Sequence, residues 1–67
     1  MKQLSYEQVE NFMVRSSLAV SAKPGFFVRL DVVATSNGVF YEVVENDHII
    51  FKGRTLFQAM QAYNRMV

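Results

Sequence analysis

The sequence predicts an α+β domain of two layers, α-β-β-β-α, with a three-stranded antiparallel sheet packed against two helices. Three observations carry that expectation. Each end of the chain has a helix-start signature, Asn37-Gly38 marks a tight turn between apolar runs, and no linker or repeat divides the 67 residues.

The first helix is expected to start at Ser5. "LSYEQV" places Gln8 three residues after that cap, and Leu4 and Val9 have the spacing of a hydrophobic staple. Val9, Phe12, Met13, Ser16 and Val20 then form a stripe, with Glu7, Gln8, Asn11 and Arg15 turned outward. The helix is expected to end between Ser17 and Ala22. Pro24 disfavours helical geometry at Lys23, and Gly25 completes the break.

Three strands follow. Asn and Gly both tolerate the positive φ of a type I′ turn, so Asn37-Gly38 joins a strand near 26–35 to one near 39–45. That turn sets Ala34 opposite Tyr41 and Val32 opposite Val43. A second turn at Asn46-Asp47, or a longer loop there, leads into a strand near 48–52, rich in β-branched and aromatic residues. With the tight turn, Val43 lies opposite Ile50. The second helix is expected to begin after Thr55, because "TLFQ" has the spacing of a capping box. Leu56, Met60, Tyr63 and Val67 fall on its core side, flanked by Ala59 and Met66, with Gln58, Gln61 and Arg65 opposite.

Composition narrows the function. A chain of 67 residues is near the size at which a single core needs reinforcement. The absence of cysteine excludes disulfides and thiolate metal sites, and the single histidine, His48, offers no cluster for an imidazole site. No cofactor and no metal are expected. What remains is oligomerisation or an efficient core, which the 51% hydrophobic content favours. A net charge of +1 provides no long-range field toward phosphate or anionic lipid. The apolar run in "SLAVSAKPG" is too short for a signal peptide or a membrane span, so a cytoplasmic location is expected.

Splitting the strands by face exposes an anomaly. Phe26, Val28, Leu30, Val32, Ala34, Tyr41, Val43 and Ile50 make a continuous apolar face for the helices. The other face of such a sheet is ordinarily polar, yet Phe27, Val33, Phe40, Val44, Ile49 and Phe51 point there, broken by Arg29, Asp31 and Glu42. Two short helices cover one face. These six apolar residues are therefore the candidate interface, used by a second copy of the chain or by a different protein.

The predicted α-β-β-β-α order resembles the double-stranded RNA-binding domain over nearly the whole chain. That family implies a lysine-rich start to the last helix, where phosphates are gripped. The matching stretch here, "GRTLFQAMQ", has Arg54 and no lysine pair. The three strands and a helix also resemble integrase-type DNA-binding modules, which read a groove with the sheet. Here the sheet sets Arg29 against Asp31 and Glu42. Arg29, Lys52 and Arg54 are the candidate nucleic-acid contacts, too few for strong counterion-release binding.

Signs of catalysis are sparse. His48 stands beside Asp47 in a turn, no serine has a nucleophile motif, and the three glycines are isolated. Asp31, Glu42, Glu45 and Asp47 match no cation-loop spacing. The expectation is a small non-enzymatic interaction protein, acting as a homodimer or on a host protein. In size and style it resembles the accessory proteins of bacteriophages and other mobile elements. A small nucleic-acid-binding module is the alternative.

Overall fold

A computed structural model describes residues 12–67. These residues form four strands and one helix: β1 (Met13–Lys23), β2 (Phe26–Thr35), β3 (Gly38–Glu45), β4 (His48–Gly53) and α1 (Leu56–Met66). The sheet is an antiparallel meander in the order β1-β2-β3-β4. This corrects the expected three strands and two helices, although the domain stays α+β. It also removes the element order on which the likeness to the double-stranded RNA-binding domain rested.

The correction centres on Met13–Lys23. This segment was expected to continue the first helix, and it is an eleven-residue strand instead. Pro24-Gly25 does not end a helix there. It is the two-residue turn of a hairpin, with Lys23 paired to Phe26 and Gly25 at a φ of 76°. Proline presets the first turn position and glycine supplies the positive φ of the second, as a type II turn requires. The expected Ser5 cap, its Gln8 partner and the Leu4–Val9 staple lie outside the described residues.

The other two turns are tight. Between β2 and β3 the turn residues are Ser36 and Asn37, one place earlier than expected, and Thr35 pairs with Gly38. The Thr35 hydroxyl accepts from the Asn37 N–H at 3.1 Å and donates to the Gly38 carbonyl at 3.2 Å. The positive φ falls on Gly38, at 126°. Val32 therefore meets Tyr41 and Leu30 meets Val43, a slide that keeps every side chain on its expected face. Asn46 and Asp47 take φ of 46° and 70°, the double positive φ of a type I′ turn. Asn46 also holds the β1–β2 end of the sheet. Its N–H donates to the Phe27 carbonyl at 2.8 Å, and its Oδ1 accepts from the Phe27 N–H at 2.9 Å.

Helix α1 packs on one side of the sheet around Val28, Leu30, Val43 and Ala59, with Phe26, Tyr41, Phe51, Ala62, Tyr63 and Met66 around them. The helix turns Ala59, Ala62, Tyr63 and Met66 to the sheet, at i, i+3, i+4 and i+7. Small alanines at the contact let it sit close. Leu56 and Met60, expected in the core, stay at its margin and are exposed. Eleven helical residues span about 16 Å, and the ten of β2 about 33 Å. Among the described residues one helix lies on that side, and Val14 and Val39 there remain exposed.

Thr55 has the extended backbone of an N-cap, but its side chain makes no capping hydrogen bond. Thr55→Ala is therefore expected to shift stability by less than about 0.5 kcal/mol, below the usual loss of about 1 kcal/mol for a capping threonine. Gly53→Ala is expected to cost more, about 1–3 kcal/mol. A Cβ there would lie 2.8 Å from the ring of Phe51, which packs against the core. Urea midpoints of the two variants measure the contrast.

Candidate functional site

The sheet side away from α1 carries one polar row that crosses all four strands. Ser17, Asp31, Glu42 and Lys52 stand opposite one another in register. Asp31 is fully buried and Glu42 nearly so. Two carboxylates directly opposite each other repel, and arginines from the neighbouring rows neutralise them. Asp31 accepts from Arg15 Nη1 at 2.9 Å, Arg29 Nε at 2.9 Å and Ser17 Oγ at 2.7 Å. Arg15 Nη1 also lies 2.6 Å from Glu42 Oε1. That contact is an ion pair in which Glu42 Oε1 accepts no hydrogen bond.

Burial by itself would raise the Asp31 pKa. Hydrogen bonds from Arg29, Ser17 and Arg15, with the Arg29 charge, outweigh it and hold the carboxyl below its ordinary range. The Asp31 hydrogen bond is the largest influence on Arg15, whose pKa is raised. Both carboxylates are paired with arginines within the chain.

The six apolar candidates on this side divide. Val33 and Val44 are buried within the single chain, Val33 between Arg15 and Phe40 in register and Val44 between Arg29 and Ile49. A partner cannot reach them. Phe27 and Ile49 are exposed, and Phe40 is half-buried. Phe51 is on the other side. A bulge at Ile50 sets Val44 opposite Ile49 and Val43 opposite Phe51, which sends Phe51 into the α1 core. The expected Val43–Ile50 pair is not formed. The six residues expected to share one interface therefore do not form one exposed patch.

The cationic candidates divide as well. Arg29 is held by Asp31, with Asp47 at 4.0 Å. Lys52 faces Glu42 in register but leaves it to Arg15, and stands 4.5 Å over the Phe40 ring. Lys52 and Arg54 share a cleft of about 540 Å³ with Phe12, Met13, Phe40 and the Thr35–Gly38 turn.

The α1 side has an apolar groove of about 310 Å³, lined by Leu18, Ala19, Leu30, Leu56, Met60, Tyr63 and Asn64. Among the described residues, α1 lies over β2, β3 and β4 and not over β1, and the groove opens beside it. A second bulge builds its outer wall. Ser17 pairs with Asp31 and Ala19 with Leu30, so Leu18 has no partner and joins Ala19 on the groove side. The Ser21 and Tyr63 hydroxyls, 3.0 Å apart, tie β1 to the helix. Sequence reading missed Leu18, Leu56 and Met60 as surface residues by assigning the latter two to the core. The competing stripe Ala59, Ala62, Tyr63, Met66 was the available signal.

Among the described residues, no group of three or more His, Asp or Glu is placed to hold a metal ion. Likewise, no described helix is long and apolar enough to cross a membrane. No protein-family model, no curated protein and no solved structure matches the chain.

An aspartate held below its ordinary pKa stabilises the fold at every pH above the unfolded value of about 4. That contribution is lost as pH falls through the lower folded value. The urea midpoint is therefore expected to be insensitive to Asp31 near neutrality and to drop below about pH 4. Asp31→Asn removes this part of the acid slope. Arg15→Met is expected to cost about 3 kcal/mol, because it leaves Asp31 and Glu42 facing each other with Arg29 alone beside them. A loss under about 1 kcal/mol in a urea titration would remove the ion cluster from the fold's essential contacts.

Proposed function

We propose that the chain is a non-enzymatic protein-interaction protein that acts as a homodimer joined along β1. The observation that supports this reading is a strand that, among the described residues, is at the edge of the sheet and beside an apolar groove. β1 is eleven residues long, pairs on one side alone among the described strands, and exposes Met13, Val14, Leu18 and Val20. Unpaired strand edges are templates for pairing with another chain. The opposite edge is blunted, since β4 is six residues long and bulged at Ile50.

A second copy suits this edge. Antiparallel pairing of β1 with itself about a two-fold axis is self-complementary. It sets both helices on the same side of one continuous sheet, with Leu18, Leu56 and Met60 of the two copies facing a common seam. The bulge at Leu18 interrupts the edge but leaves regular strand on either side of it. A near-neutral chain opposes the contact with little repulsion, and a small core gains by the added burial. A host protein docking on the same groove is the competing occupant.

Wild type is expected to sediment at twice its 7.7 kDa mass at micromolar concentration. Leu18→Glu, at an exposed position, is expected to give a monomer with unchanged circular dichroism. Phe57→Glu, on the exposed helix surface outside the groove, is expected to leave the dimer intact. A wild type that stays monomeric at high micromolar concentration overturns the homodimer and assigns the groove to a foreign protein.

A further inference from the structure

The cleft between the β2–β3 turn and the end of β4 lies on the sheet side away from α1 and is separate from the β1 groove. Its volume, about 540 Å³, is that of a small-molecule site. Met13 and Phe40 give it apolar walls, and its described lining contains two cations and no carboxylate.

Both cations are turned toward the cleft. Lys52 stands over Phe40 although Glu42 is its cross-strand neighbour. An exposed cation over an aromatic ring is held by about 0.5–1 kcal/mol, so the Lys52 ammonium is readily given up to an anion, where hydrogen bonds are charge-assisted. Arg54 is laid against the turn, its Nη1 3.5 Å from where a Cβ on Gly38 would be. Glycine at 38 thus serves the positive φ of the turn and leaves the guanidinium room beside it.

We propose that this cleft binds a phosphate monoester with a planar apolar body, of about the size of a mononucleotide. Two cations match the charge of about −1.5 to −2 that a phosphate monoester carries at neutral pH, whereas a single carboxylate leaves one cation unanswered. The guanidinium fork of Arg54 takes two phosphate oxygens, and the ammonium of Lys52 takes the third. The apolar body lies on Met13 and Phe40.

The test is a ¹H–¹⁵N NMR titration of the full chain with adenosine 5′-monophosphate, phenyl phosphate, inorganic phosphate and adenosine. The two esters are expected to shift Gly38, Lys52, Gly53 and Arg54 saturably, and inorganic phosphate more weakly. Adenosine, lacking the anion, is expected to leave them in place. Arg54→Gln and Lys52→Gln, both at exposed positions, are each expected to weaken ester binding by about tenfold. Three results overturn the proposal: no saturable shift by either ester up to about 10 mM, adenosine binding as tightly as its phosphate, or Arg54→Gln binding like wild type. Leu18→Glu, run beside them, is expected to bind the esters as wild type does, so failure of the dimer leaves this result readable.

Discussion

The Asp31 carboxylate is taken wholly out of water, and it remains ionised because Arg15, Arg29 and Ser17 all donate to it. Those donors come from two strands, so the ion cluster pins β1 onto β2 at one register. A one-residue slip of β2 would carry Asp31 to the α1 side, among Val28, Leu30 and Val43, with no counter-charge. Burying an unpaired carboxylate costs several kcal/mol. The same row brings Glu42 opposite Asp31, so Arg15 serves both carboxylates and its place in β1 is fixed as well.

That fixed register explains the bulge next to it. Ser17 must stay opposite Asp31, and Ala19 lies opposite Leu30, which leaves Leu18 as the extra residue. The extra residue is thrown to the α1 side, where it becomes the outer wall of the groove. The helix contributes the inner wall for a related reason. It approaches the sheet on its alanines, and its larger apolar residues, Leu56 and Met60, are left at the rim. The proposed interaction surface is thus a by-product of how β1 and α1 satisfy their own packing.

The two sheet sides carry separate chemistry. The α1 side has the groove and the aliphatic core. The other side has the ion row in its middle and the Lys52–Arg54 cleft at one end. Arg15 connects these features indirectly, since its capture of Glu42 leaves Lys52 without its cross-strand carboxylate.

Local signals in the sequence determined the β2–β3–β4 meander, the C-terminal helix, and the set Phe26, Val28, Leu30, Tyr41 and Val43 that meets it. Turn residues and side-chain alternation act over a few residues, and such information survives in a linear reading. Met13–Lys23 was not legible, because it carries a helical stripe and strand-like valines together, and Pro24-Gly25 can end a helix or turn a hairpin. Contacts from Arg15 and Ser17 to Asp31, 16 and 14 residues away, hold that segment in the sheet. Of the candidate residues, Lys52 and Arg54 line one cleft, whereas the six apolar residues were read as one face and are divided. Bulges at Leu18 and Ile50 changed which side chains share a side, and Val33 and Val44 closed within the chain itself. Only the tertiary structure decides such matters, because a bulge is set by the pairing of distant strands and leaves no mark in the local alternation.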